Sequence, residues 1–251
     1  MDAKAWDDIA GKYFDEIQSP FRDAVYNPLF EELDRIPESN RKHVADLGTG
    51  PGNLLPVLSK KFRKVTAIDF SIRMLKIAKA KVSRKNIRFE KANLCNLAKF
   101  HNSFDVAVAV NSFLTPSLKQ LSQKFQESSN ILKKGGKFIG VFPSVTADLY
   151  RALLTFEREL EKTNDEELAK RRARRLVMGN RYDLLFGILD NEGKQKYFYE
   201  FGIKYRLKKA GFKKIRFRKI LYSWDVLDYP EPGTMPKDIK PWDWLVIAEK
   251  A

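Results

Sequence analysis

Residues 43–70, HVADLGTGPGNLLPVLSKKFRKVTAIDF, constrain the fold more than any other part of this 251-residue chain. A short apolar run at 44–47 carries one acid, Asp46, and breaks into Gly48, Gly50 and Gly52. Leu54, Leu55 and Leu58 then recur at helical spacing, and a second strand-like run at 65–68 ends on Asp69. Strand, glycine loop, helix, strand, acid is the order that holds a nucleotide at the carboxyl edge of a parallel sheet. Alternate glycines let the backbone turn sharply and approach a ligand with no Cβ in the way. The free N–H groups at the start of the next helix face any anionic group placed there. Asn53 stands near the cap of that helix and Pro56 in its first turn, where an N–H has no partner to lose. Asp69, 17 positions after Gly52, ends the second strand, where a carboxylate can accept from both hydroxyls of a ribose. An adenosine-like ligand follows.

Dinucleotide-binding folds prefer G-x-G-x-x-G. Here the glycines run G-x-G-x-G with an acid two residues before the first, which suits a ligand carrying an ammonium group in place of a pyrophosphate. At these residues the chain resembles the class I S-adenosylmethionine-dependent methyltransferases: Asp46, Gly48, Gly50 and Gly52 match their glycine motif, and Asp69 their ribose-binding acid. The resemblance implies S-adenosylmethionine as cofactor and S-adenosylhomocysteine as product. It also implies cofactor contacts from Tyr13, Asp46, Gly48, Thr49, Gly50, Gly52, Asn53, Asp69, Phe70, Met74, Asn93, Leu94 and Asn111, with Phe70 and Met74 packed on the adenine. Asn93 stands where the family commonly has an aspartate that accepts from the adenine amino group; its carbonyl oxygen can still accept. The wording LKKGGKFIGVF at 132–142 is also that of the family, so the resemblance covers about residues 40–142 well and the rest loosely. Members that modify exocyclic amines of nucleobases usually carry an Asn/Asp-Pro-Pro-aromatic motif where this chain has Asn111-Ser112-Phe113, which argues against that subclass.

Taken in order, the chain first places Trp6, Ile9, Ala10, Tyr13, Phe14 and Ile17 at helical spacing, and Asn27-Pro28 opens a second helix through Leu29, Phe30 and Leu33. Ser71 caps a helix carrying Ile72, Leu75, Ala78 and Val82 on one face. A strand at 87–91 and the unbroken apolar run FDVAVAV at 104–110 follow, the latter as expected of a central strand buried on both faces. The helix through Leu118, Leu121, Phe125 and Leu132 is expected to stop at Gly135-Gly136, before a strand at 137–142. One long helix should run from Leu149 through the arginines at 171–175 to about Gly179-Asn180, with Glu166 and Glu167 pairing to Lys170 and Arg171. Residues 182–189 and 194–199 flank a hairpin turn, a last helix ends at Gly211, and strands at 214–220 and 244–249 close the chain. With no crossover helix between them, those two must pair antiparallel or lie apart.

The fold expected from the resemblance is a Rossmann-like, doubly wound α/β sheet of seven strands. Its order, counting the strands in sequence, is 3-2-1-4-5-7-6, with the seventh antiparallel. Residues 1–40 form an N-terminal helical lid, 41–142 the cofactor-binding core, 143–200 a helix-plus-hairpin cap, and 201–251 the completion of the sheet.

The net charge of +15 is uneven. Residues 51–100 hold 13 basic and 2 acidic side chains and residues 201–251 hold 12 and 6, whereas residues 1–50 are acidic at 6 against 11. Such a field suits acidic partners such as nucleic acid, or simply a solvated surface. Cys95 alone excludes an intrachain disulfide, and His43 and His101 form no metal-ligand cluster, so no metal is expected. Cys95 reads as a small packing residue. With no apolar run of membrane-spanning length and an acidic start, MDAKAWDD, the expectation is a cytoplasmic protein without membrane insertion. The function expected is methyl transfer from S-adenosylmethionine to a small-molecule substrate by in-line displacement; the alternatives are an RNA methyltransferase using the basic surface, or a non-catalytic module that keeps the fold. The sequence singles out no catalytic residue. Tyr26, Phe113, Tyr182, Tyr199 and Trp224 are candidate pocket aromatics, with plain core packing the competing role.

Overall fold

A computed structural model describes residues 20–178, 182–190, 193–227 and 235–251, with the backbone alone at 176–178. Its central sheet comprises β1 (Val25–Tyr26), β2 (His43–Leu47), β3 (Lys64–Asp69), β4 (Ile87–Lys91), β5 (Phe104–Val110), β6 (Leu132–Pro143), β10 (Phe212–Tyr222) and β11 (Trp242–Lys250). A second, small sheet holds β7 (Tyr182–Asp183), β8 (Ile188–Asp190) and β9 (Lys194–Lys196). The helices are α1 (Leu29–Asp34), α2 (Leu55–Lys61), α3 (Ile72–Lys81), α4 (Leu118–Asn130), α5 (Val145–Thr163), α6 (Glu166–Met178) and α7 (Glu200–Lys209).

Strand order in the central sheet is β1-β10-β11-β6-β5-β2-β3-β4. The seven strands read from the sequence stand in the expected order, and β11 runs antiparallel to both of its neighbours. β1 is an addition at the edge, two residues long and so too short to show any periodicity. β2 lies between β3 and β5, both parallel to it, with Asp46 level with Ala67 on one side and Val108 on the other.

Because β5 is apolar on both faces, it needs helices above and below it. Leu29 and Leu33 of α1, Leu55 and Leu58 of α2 and Ala78 of α3 cover one face. Leu121 and Phe125 of α4 and Ile203 and Leu207 of α7 cover the other, around Phe113, Phe138, Phe142 and Phe198. Each fully buried side chain of this size contributes roughly 1.5–3 kcal/mol over leaving it in water.

Three expectations are corrected. α4 stops at Asn130, not at Gly135-Gly136, because Ile131 and Leu132 are drawn into the core and Leu132 already pairs with Phe104. Gly135, at φ +71, instead makes the irregularity within β6 that shifts the register to Val106–Lys137. The single long helix predicted from Leu149 onward is broken at Asn164, at φ +51, into α5 and α6, and Asp165 caps the second by accepting from the Leu168 N–H at 2.9 Å. The two helices pack together and are tied by the Arg172–Glu159 ion pair. Lys170 pairs with Glu166 at 2.6 Å, as their spacing implies, and Glu167 turns to the same Lys170 at 3.0 Å in place of the expected Arg171. The hairpin joins β8 to β9, while Tyr182-Asp183 forms the third strand of the small sheet. The predicted helix around Tyr13 and the end at Gly179-Asn180 lie outside the described residues. Among the described residues no helix is long and apolar enough to cross a membrane.

Candidate functional site

At the carboxyl edge of the sheet, where β2, β3, β4 and β5 all end, a cavity of about 400 Å³ opens. Parallel strands bring their carboxyl ends to one side, so residues far apart in sequence meet there. Of the residues expected at the cofactor, Gly48, Gly50, Asp69, Phe70, Met74, Asn93, Leu94 and Asn111 line this cavity.

The glycine loop leaves β2 with three left-handed residues, Gly48 at φ +73, Gly50 at φ +53 and Gly52 at φ +82. The N–H groups of Gly48 and Thr49 both donate to the Ile68 carbonyl, at 2.7 and 3.0 Å, which folds the loop back over the end of β3. That fold delivers the Gly50 N–H to Asp69 Oδ2 at 2.9 Å. From the other side the Ser71 N–H donates to Asp69 Oδ1 at 2.9 Å, while Ser71 Oγ accepts from the Met74 N–H at 3.0 Å and caps α3. Each carboxylate oxygen is therefore held by a backbone donor at the cavity wall.

Asp46, Thr49, Gly52 and Asn53 stand off the cavity wall. Asp46 is 3% exposed beneath the loop and accepts from the Thr49 hydroxyl at 2.6 Å. Burial pushes its carboxyl up to about 7; the Thr49 hydrogen bond opposes this and the charge of Asp69 adds to it. Gly52 lets the loop close on α3, since a Cβ there would sit 3.0 Å from the Ala78 Cβ. Asn53 Oδ1 accepts from Lys81 Nζ at 2.9 Å, and the cap position of α2 falls to Leu54. Tyr13 lies outside the described residues.

Asn93 Oδ1 accepts from the Cys95 N–H at 2.9 Å, which holds the turn after β4 and leaves one lone pair on that oxygen. Asn111 adopts φ +46 at the end of β5, with its N–H on the Val141 carbonyl at 3.1 Å. Its amide lies beside Asp243, which opens β11 and reaches this edge because that strand is antiparallel. Burial raises Asp243 to about 7, against hydrogen bonds from Tyr222, at 2.6 Å, from Asn111 and from the Ser144 N–H. Asp148 of α5, raised to about 6 by burial, belongs to the same buried group.

A second wall holds Ser112, which the sequence places at this edge, and residues that it did not single out for the site: Cys95, Val110, Leu114, Thr115, Gln120, Lys124, Lys194 and Gln195. Cys95 is thus a half-buried wall residue rather than core packing, and burial raises its thiol above the usual range. Gln120 and Lys124 lie one turn apart on α4, beside the buried Leu121 and Phe125, a polar pair that an amphipathic helix could have betrayed. Nothing local in the sequence marks Lys194 and Gln195; the small sheet carries them over the cavity, held there by the Lys196 N–H donating to the Leu114 carbonyl at 3.0 Å. None of the five candidate aromatics lines the cavity. Phe113 packs edge-on against Phe125 in the core, Tyr199 donates to the Leu184 carbonyl at 2.6 Å, and Trp224 Nε1 donates to the Pro236 carbonyl at 2.8 Å. Tyr26 is 51% exposed at the sheet edge, and Tyr182 is buried beside Asp148.

Comparison with known proteins points the same way as the geometry. A family model described as a methyltransferase domain matches residues 44–136. The chain is 34% identical over 143 residues to the demethylmenaquinone methyltransferase of Leptospira interrogans, which is 53% of this chain and 56% of that protein. It is 42% identical over 64 residues to the trans-aconitate 2-methyltransferase of Paracidovorax citrulli, 25% of each. The chain thus spans between a quarter and about 56% of the length of these curated relatives. A solved S-adenosylmethionine-dependent methyltransferase from Methanosarcina mazei shares the fold, with a TM-score of 0.60 at 19% identity over 89% of this chain and 97% of that one.

Proposed function

The chain belongs to the class I S-adenosylmethionine-dependent methyltransferase family, and from that premise we propose that it transfers the methyl group of S-adenosylmethionine to a small-molecule acceptor. The observation that carries this reading is Asp69, whose carboxylate is fixed by the Gly50 and Ser71 N–H groups on the wall of the cavity that the glycine loop and the end of β5 also line.

The residues present suit a nucleoside. Among the described residues Asp69 is the one carboxylate on the wall, placed to accept from ribose hydroxyls, while Phe70, Met74 and Leu94 supply apolar surface for a purine beside Asn93. When bound, the cofactor supplies a methyl group on a positively charged sulfur, already activated toward attack. What remains for the protein is to hold the acceptor in line and to exclude water. Asn111 and Ser112, at the end of β5, line the cavity and would flank an acceptor brought to the methyl, and Lys194 and Gln195 would roof it. A concave cavity of about 400 Å³, partly roofed by the small sheet, suits an acceptor of metabolite size better than a polymer.

Incubating the protein with methyl-labelled S-adenosylmethionine and separate metabolite and RNA pools tests this; label is expected in the metabolite fraction. The exposed Arg171, Arg174 and Arg175 on α6 favour a second reading, RNA as acceptor. RNA binding that weakens steeply between low and moderate salt, with label in the RNA, would favour it over the first.

A further inference from the structure

The reading of the cavity as a cofactor and acceptor site leaves Lys124 on its second wall without a role, and the inference that follows rests on that reading. Among the described residues Asp69 is the sole acid on the cavity wall, and it is engaged by the loop. The opposite wall carries Lys124, with Ser112, Gln120 and Gln195 as neutral donors around it, Thr115, whose hydroxyl donates to Gln120 Oε1 at 2.9 Å, and Lys194 at the rim. Lys124 is half-buried on α4, with its Nζ donating to the Ser112 carbonyl at a long 3.3 Å and standing 5.8 Å from the centre of the Phe113 ring. No carboxylate among the described residues lies within ion-pair distance of it, whereas Lys194 has Asp190 at 4.0 Å. Burial draws the Lys124 ammonium below its usual range, against the opposing pull of Cys95 and Asp69.

An ammonium has three N–H donors, and one held away from water beside a single carbonyl is under-satisfied. The aromatic contact contributes less than a charge-assisted hydrogen bond. A site of this kind gains most from an oxyanion. We propose that Lys124 anchors an anionic group, a carboxylate or phosphate, carried by the methyl acceptor, so that the substrate class is a small organic anion. The side-chain amides of Gln120, oriented by the Thr115 hydroxyl, and Gln195 complete its surround, and the anion sets the acceptor against the end of β5.

The test uses the full chain saturated with S-adenosylhomocysteine and titrated at low ionic strength with succinate, inorganic phosphate and neutral succinamide. Wild-type protein is expected to bind succinate or phosphate and to ignore succinamide. Lys124→Met should weaken that anion binding at least about 10-fold, Lys124→Arg should restore most of it, and Lys119→Met, exposed on the same helix, should leave it unchanged. S-adenosylhomocysteine should bind Lys124→Met as it binds the wild type. No anion binding to the wild type, or equal binding to Lys124→Met, overturns the proposal. So does a Lys124→Met protein that loses affinity for S-adenosylhomocysteine but not for 5′-methylthioadenosine, which lacks the amino-carboxylate; Lys124 would then hold the cofactor's own carboxylate. Failure of the wild type to take up S-adenosylhomocysteine at all is a different result, and sinks the cofactor reading itself.

Discussion

At Gly48 a single methyl group is enough to disturb the site. The residue sits at φ +73, and a Cβ there would lie 2.4 Å from the Ser112 Cβ, so Gly48→Ala meets both backbone strain and a clash with the next strand end. Its expected cost is about 1–3 kcal/mol of stability, together with at least about a 10-fold loss of S-adenosylmethionine affinity, measured by thermal unfolding and calorimetry. Gly135 gives the contrast: φ is +71 but nothing lies within 4 Å of an added Cβ, so Gly135→Ala should cost only about 1 kcal/mol and leave affinity alone. Residues of this kind are legible in a sequence because only glycine tolerates the geometry, and alternate glycines after a strand announce it. Asp69 is legible for a similar reason, being an acid that ends an apolar run. Asp46 misleads. Its motif position suggests a ligand contact, yet it lies under the loop on the Thr49 hydroxyl, and no pattern in the chain separates an acid on a cavity wall from one just beneath it.

Among the elements, α1 is held to the sheet by charge as well as by Leu29 and Leu33. Glu32 is 3% exposed and receives Arg216 at 2.9 Å and Arg218 at 3.0 Å from β10, with Arg35 beside it at 2.6 Å. Burial pushes the Glu32 carboxyl up, but the hydrogen bonds from Arg216 and Arg218 carry it below its usual range. A carboxyl lowered in the folded state stabilises above its unfolded pKa and loses that contribution as pH falls through the folded value. Glu32→Gln should therefore cost about 1–3 kcal/mol at pH 7, discounted because Arg216 is half exposed. The deficit relative to wild type should shrink in acid, as read from denaturant midpoints at pH 7 and pH 3. The long strands were legible because their apolar runs have no other reading. β1 was not, since two residues carry no period. The break at Asn164 was hidden as well, because leucines continue at helical spacing on one side of it and charged pairs on the other; only Asp165, a ready cap, marks the restart.

At the scale of the whole molecule, one buried carboxyl, Asp46, and two half-buried ones, Asp148 and Asp243, along one edge of the sheet make stability depend on pH in an unusual direction. Burial raises Asp46 and Asp243 to about 7 and Asp148 to about 6. Tyr222, Asn111 and Ser144 face Asp243, with Asp148 approaching from α5, and Arg151 faces Asp148 at 3.3 Å. Each acid binds its proton more tightly folded than unfolded, so its contribution is intact below the unfolded value near 3.8 and is lost as pH rises toward the folded value near 6 or 7. The melting temperature should fall between pH 5 and pH 8, and Asp243→Asn, which cannot ionise, should flatten that fall and melt higher than wild type at pH 8. A slope unchanged in the variant would place the dependence on other groups. This buried group escaped the sequence because Asp243 sits in WDWLVIAEK as an alternating polar position; it is the packing of α5 over that edge that takes it out of water. A cap over this edge was legible, but not which of its residues reach the cavity: Lys194 and Gln195 do so only through the placement of a whole sheet. The central claim is that one crevice, with Asp69 as its acid, holds S-adenosylmethionine, and calorimetric titration of that ligand into wild-type and Asp69→Ala protein tests it most directly. One-to-one binding by the wild type, weakened in the variant by about 2–3 kcal/mol or roughly 30- to 150-fold, is the predicted result; no heat with the wild type, or the same affinity in both proteins, contradicts it.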